Sequence, residues 1–237
     1  MISQPSPIGT PEKLRIVSLA MKNIYVYYCD MRQFNIDQEV LLRFLNQTDQ
    51  RRYKSLKNTS RQRQFAMARW LIKHCLKQLF AQSTSHDYQL IDYSRWRVIE
   101  QGSNYSVSIS HSGHFVAVAI AAFPCSIGID IEQHKSRDFT ELVKTFSIPI
   151  EQNLVCKHAD QQKSFYRLWT AKEAFLKASQ RSIDLVCQEN LAMCLLHNGG
   201  QVAGYHYLTG HLVKGEYSYS VMTNADASIQ VQEFALN

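Results

Sequence analysis

The segment Ser126-Ile-Gly-Ile-Asp-Ile-Glu132 alternates apolar and small or acidic residues without a break, and no other pattern constrains the chain as much. Successive residues of a strand point to opposite faces. Ile127, Ile129 and Ile131 therefore make one core-facing side, Asp130 and Glu132 share the other, and Gly128 leaves the acidic side uncrowded. Further along, Trp169-Thr-Ala-Lys-Glu-Ala-Phe-Leu-Lys177 sets Trp169, Glu173 and Lys177 at successive i,i+4 steps, on one face of a helix. Three acids and one ammonium can converge from these two segments, an arrangement suited to magnesium-dependent phosphate chemistry.

The remaining order predicts an α+β chain. Strands are expected over residues 24–30, 90–99, 105–110, 115–123, 127–132, 191–197, 206–213, 217–222 and 229–234. Helices are expected over 37–45, 62–80, 138–146 and 164–178, with Phe65, Ala68, Ile72, Cys75 and Leu79 forming the stripe of the second. Residues 1–15 read as a loose lead-in. Strand, short helix, long helix and antiparallel strands occur twice in that order. This predicts two similar halves, 1–123 and 124–237, related by a pseudo-twofold, each with a small antiparallel sheet and a long helix. Two fused halves suit a monomer.

Composition narrows the partners. Hydrophobic residues make up 45% of the 237, enough for a core, and no apolar run reaches the ~18 residues of a membrane span. No export signal is legible at the start, so the expected compartment is cytoplasmic. Cys29, Cys75, Cys125, Cys156, Cys187 and Cys194 are scattered without paired spacing and read as reduced thiols. The net charge of +6 is concentrated: from Arg51 to Lys77 there are nine Lys or Arg and no Asp or Glu. That run suits an anionic partner, or an ordinary solvated helix face. No nucleic-acid-binding motif accompanies it.

The candidate chemistry is then weighed residue by residue. Asp130 and Glu132 repel each other unless a cation sits between them, and an all-oxygen set suits Mg²⁺ better than zinc. The same pair would also suit the polar outer face of a strand. Glu173 and Lys177 could be a surface i,i+4 pair, yet Glu173 borders the buried stripe, where a carboxylate needs a partner. Ser110-His-Ser-Gly-His114 reads as a turn that donates to an anion, or simply as a polar hairpin turn. No GxSxG elbow, P-loop or GxGxxG fingerprint is present, so the attacking group is expected on the substrate.

Taken together, Ser108-Ile-Ser-His-Ser-Gly113, Gly128-Ile-Asp-Ile-Glu132 and Phe165-Tyr-Arg-Leu-Trp-Thr-Ala-Lys-Glu-Ala-Phe-Leu-Lys177 closely resemble the Sfp-type 4′-phosphopantetheinyl transferases. The resemblance implies a pseudo-twofold fold with coenzyme A between the halves. It also implies transfer of 4′-phosphopantetheine to a serine of an acyl or peptidyl carrier protein, with release of 3′,5′-ADP. Asp130, Glu132 and Glu173 are then expected to hold Mg²⁺, Glu173 also to accept the serine proton, and Lys177 to meet the diphosphate. Ser110 and His111 match the family's phosphate contact, and Lys172 matches a family position of open role. Phe65-Ala-Met-Ala-Arg69 resembles the family's FxxxR stretch, so Arg63 and Arg69 join Arg51, Arg52 and Arg61 as candidates for the 3′-phosphate. The Gly-Lys-Pro of many members is missing: Trp96-Arg-Val-Ile-Glu-Gln-Gly102 stands instead, with Arg97 as a substitute. The alternative is a catalytically silent homologue that binds coenzyme A or a carrier protein.

Overall fold

The computed structural model describes residues 22–34, 36–80, 89–90, 97–100 and 103–234. In chain order these form β1 (Asn23–Asp30), α1 (Gln38–Arg43), α2 (Gln47–Ser55), α3 (Thr59–Phe80), β2 (Gln89–Leu90), β3 (Arg97–Glu100), β4 (Ser103–Ser112) and β5 (Phe115–Ala121). There follow β6 (Ile127–Gln133), α4 (Phe139–Lys144), α5 (Pro149–Lys157), α6 (Gln161–Ser179), α7 (Ile183–Gln188), α8 (Met193–Leu196), β7 (Gly199–Val202), β8 (Tyr205–Leu212), β9 (Tyr217–Thr223) and β10 (Ser228–Glu233). The chain is α+β as expected. The lead-in over 1–15 lies outside the described residues, as does most of the 90–99 strand, where only its two ends are described.

Two sheets carry the fold. One runs β10-β1-β5-β4-β3-β2 and the other β6-β9-β8-β7. The last strand returns to the first sheet and pairs parallel to β1, from Asn23 with Ser228 to Tyr28 with Glu233. The division expected at 123/124 thus fails to separate the two sheets: β10, from the second part of the sequence, completes the first. Phe234, just after it, is buried against Tyr27, Phe34 and Trp70. That aromatic contact ties the chain's end to α3.

The sequence explains how closely the two sheets approach. β5 reads Phe115-Val-Ala-Val-Ala-Ile-Ala121 and is buried on both faces. Val116, Val118 and Ile120 belong to the core that includes α3. On the opposite face Ala117, Ala119 and Ala121 pack with Ile127, Ile129 and Ile131. Small residues on that face let β6 come close. On the other side of β6, α6 is seated directly over Gly128: a Cβ built there would lie 2.0 Å from the Ala174 carbonyl oxygen. Gly128 is thus required by the helix crowding its face, the reverse of the uncrowded side expected.

β4 and β6 belong to different sheets yet lie side by side, joined by serine side chains. The hydroxyls of Ser108, Ser110 and Ser112 accept the N–H groups of Ile129, Ile131 and Gln133 at 3.0, 3.2 and 3.1 Å. Ser106 does the same for Cys125 at 2.9 Å. An edge strand leaves a row of backbone donors unmet, and here every second residue of the neighbouring strand meets one.

Several local expectations change. Residues 191–197 contain the short helix α8 (Met193–Leu196) and no strand: the run has no β-branched residue, and Cys194 N–H already bonds Leu191 O at 2.9 Å. Half of the expected turn at 111–114 is strand, because β4 continues through Ser112 and only Gly113 (φ +55°) and His114 turn the hairpin. The helices α2 and α5, not among those expected, begin at local signals, an Asn46 cap accepting the Asp49 N–H and Pro149 at the first helical position. Replacing Gly128 with alanine is predicted to cost about 2–3 kcal/mol by overpacking, seen as a lower urea midpoint. A parental midpoint would mean that α6 tolerates a gap above β6.

Candidate active site

Where the serine row ends, β4, β6, α3 and α6 enclose a cavity of about 630 Å³. Ser110, His111 and Ser112 line it from β4, Asp130 and Glu132 from β6, Lys177 from α6, and Arg61 and Gln64 from α3. Asn58 caps α3 here, its Oδ1 accepting the Arg61 N–H at 3.1 Å.

Asp130 is buried and closely held. Its Oδ1 accepts from Ser110 Oγ at 2.8 Å and from Lys177 Nζ at 2.8 Å. The same ammonium donates to Ile129 O at 2.8 Å and to Ile109 O at 3.5 Å, so Lys177 bridges both strands. Asp130 Oδ2 is buried without a hydrogen-bond partner. Glu132 is half-buried, and its Oε2 accepts from Ser112 Oγ at 2.6 Å. Burial raises the Glu132 carboxyl above the ordinary glutamate value, Ser112 pulls it down, and the Asp130 charge raises it again. Glu173 is raised first by burial and then by Asp130, with Lys177 opposing. His111 is lowered by burial and then by Arg61, whose Nη1 lies 3.1 Å from its Nδ1.

These residues are chemically suited to a divalent cation. Asp130 offers a buried, unpartnered oxygen, and its charge helps to raise the carboxyls of both Glu132 and Glu173. They are not gathered into a finished cage: among the described residues no three of His, Cys, Asp and Glu stand close enough to hold a metal as they lie. Lys177 and Ser112 take up ligand oxygens instead.

The other expected residues divide between cleft and core. Arg63 donates to the Met31 and Phe34 carbonyls at 3.3 and 3.1 Å. Arg69 is buried, pairs with Asp49 at 3.4 Å and lies 3.9 Å over the Phe65 ring. Neither lines the cavity, and Arg51 and Arg52 are exposed on α2; of the arginines offered for the 3′-phosphate, Arg61 is the one placed here. Lys172 points away as well: buried, it pairs with fully buried Glu151 at 3.0 Å and donates to the Val186, Cys187 and Glu189 carbonyls. The side chain of Arg97 lies outside the described residues. Gln64 and Lys135 line the cavity unforeseen, and Ser112, expected in a turn that donates to an anion, lines it from β4 and meets Glu132 instead. The alternation Ser106-Val-Ser-Ile-Ser-His-Ser112 sets Ser112 on the same strand face as Ser106, Ser108 and Ser110.

Comparison with known proteins points the same way. Residues 126–228 match the model of the 4′-phosphopantetheinyl transferase superfamily. The 4′-phosphopantetheinyl transferase psf-1 of Bacillus pumilus is 31% identical over 114 residues, 48% of this chain and 48% of that protein. A 4′-phosphopantetheinyl transferase of Bacillus subtilis is 41% identical over 80 residues, 33% of this chain and 34% of the relative. For 4′-phosphopantetheinyl transferase Sfp of Bacillus subtilis (strain 168) the identity is 36% over 97 residues, 40% of this chain and 42% of the relative. The chain spans between a third and a half of the length of these relatives. The matched segment contains β6, α6 and every acidic residue of the cavity. Among the described residues no helix is long and apolar enough to cross a membrane.

The two lysines of α6 should respond differently to substitution. Lys172→Met is predicted to cost roughly 3–5 kcal/mol, because it strands a fully buried glutamate; chemical denaturation measures this. A loss below about 1 kcal/mol would mean that Glu151 is satisfied without it.

Proposed function

We propose that the chain transfers 4′-phosphopantetheine from coenzyme A to a serine of an acyl or peptidyl carrier protein, releasing 3′,5′-ADP. The observation that carries this reading is the cavity itself: acids and an ammonium on one wall, inside the segment that matches the family, and Arg61 and His111 on the other, contributed from before it. The long helices α3 and α6, one in each core, suit a chain of two similar halves with its site at their seam.

Arg61 and His111 would take the phosphates of coenzyme A, Arg61 as a permanent cation and His111 as a donor. Bound by Asp130, Glu132 and Glu173, Mg²⁺ would neutralise charge on the diphosphate. Glu173, its carboxyl raised by burial and then by Asp130, would accept a proton from the attacking serine hydroxyl. The serine oxygen then bonds to the β-phosphorus, the bond to the bridging diphosphate oxygen breaks, and 3′,5′-ADP departs with that electron pair. Lys177 keeps the Asp130 carboxylate oriented and presents positive charge near the departing group. The net charge of +6 favours encounter with an acidic carrier.

Incubation with coenzyme A, Mg²⁺ and an apo carrier should raise the carrier's mass by about 340 Da, the group transferred in this reaction, and a chelator should prevent it. No gain across a varied panel of carriers would sink the transferase reading in favour of a silent binding homologue. Glu173→Gln should abolish the transfer. It should also raise the melting temperature of metal-free protein by a few degrees at neutral pH. A carboxyl raised on folding contributes stability below its ordinary value and loses it as pH rises through the raised one. The gain should therefore vanish below the ordinary glutamate range; a gain that is constant with pH would contradict the assignment.

A further inference from the structure

The serine row contains a second device. Ser112 uses its hydroxyl twice, accepting the Gln133 N–H at 3.1 Å and donating to Glu132 Oε2 at 2.6 Å. Ser110 repeats this one rung up, accepting from Ile131 and donating to Asp130 Oδ1 at 2.8 Å. At the next rung Ser108 accepts the Ile129 N–H at 3.0 Å, where β6 offers Gly128 in place of an acid. The bond that closes the seam and the bond that aims the carboxylate thus share one oxygen, and only the rungs facing the cavity have both.

We propose that Ser112 is the positioning residue for Glu132, fixing one carboxylate oxygen against the seam and leaving the other to a divalent cation. This rests on the reading that Glu132 faces such a cation. A glutamate side chain has three rotatable bonds, and a short bond from a hydroxyl to an ionised carboxylate is among the stronger ones available to hold it. The hydroxyl is itself held by a backbone N–H, so the carboxylate inherits the rigidity of two strands. Removing such an outer partner commonly weakens metal affinity by about 10- to 100-fold.

The test compares Ser112→Ala with Ser108→Ala in the full chain, since both delete a serine acceptor for β6 but only the first touches an acid. Direct titration with Mn²⁺ should show affinity about tenfold weaker in Ser112→Ala, parental affinity in Ser108→Ala, and recovery in Ser112→Thr, which keeps the hydroxyl. Turnover in Ser112→Ala should fall in kcat while the KM for coenzyme A stays near the parental value. Equal affinities in the two alanine variants would overturn the proposal, whatever their melting temperatures. If Ser112→Ala does not fold, Ser112→Cys, a weaker donor of similar size, faces the same expectation. Parental protein that binds Mn²⁺ but modifies no carrier would overturn the transferase reading alone, and the ratio of affinities would still decide the role of Ser112.

Discussion

A row of hydroxyls on β4 supplies what β6 would otherwise lack, a partner for its outward N–H groups. Backbone donors at a buried strand edge cost free energy when unmet. A backbone ladder here would merge the two sheets into one. Serine side chains hold β6 a step further off instead, and that spacing brings Asp130 and Glu132 level with Ser110 and Ser112. The alanine face of β5 and the bare Gly128 serve the same end, allowing sheet and helix to close on β6 from its two faces.

Charge is distributed along α6 by the same close packing. Lys172 and Lys177 lie five residues apart on one helix and meet different acids. Lys172 is sealed with Glu151 and ties α5 and the α7 region together. Lys177 is about one-third exposed and meets Asp130 at the cavity wall. The first is a structural ion pair in the interior. The second faces a group whose remaining oxygen is still unpartnered, beside two carboxyls raised by burial. Like charges gathered this way reduce stability, so their accumulation on one wall is not accounted for by packing, in keeping with the function proposed above.

Much of this was legible in the residues. Period-two alternation located β6 and period-four spacing located Trp169, Glu173 and Lys177, since both periodicities follow from local backbone geometry. The long helices over 62–80 and 164–178 were found because their apolar stripes are long. The strand expected at 191–197 failed because a short apolar run has no distinguishing period. Among the arginines, spacing could not separate Arg61, which reaches His111, from Arg69, which turns inward to Asp49. Both sit in one basic run, and only burial tells them apart.

By itself the sequence determined which acidic and basic residues share a face on β6 and on α6, because alternation and helical repeat are properties of the chain alone. The tertiary structure decided the rest. It returned β10 to the first sheet, sent Lys172 into the interior, brought Arg61 to the cavity, and joined β4 to β6 through hydroxyls instead of a ladder. Those outcomes depend on contacts between residues distant in sequence, and no local pattern encodes the distance between two strands that never share a backbone hydrogen bond.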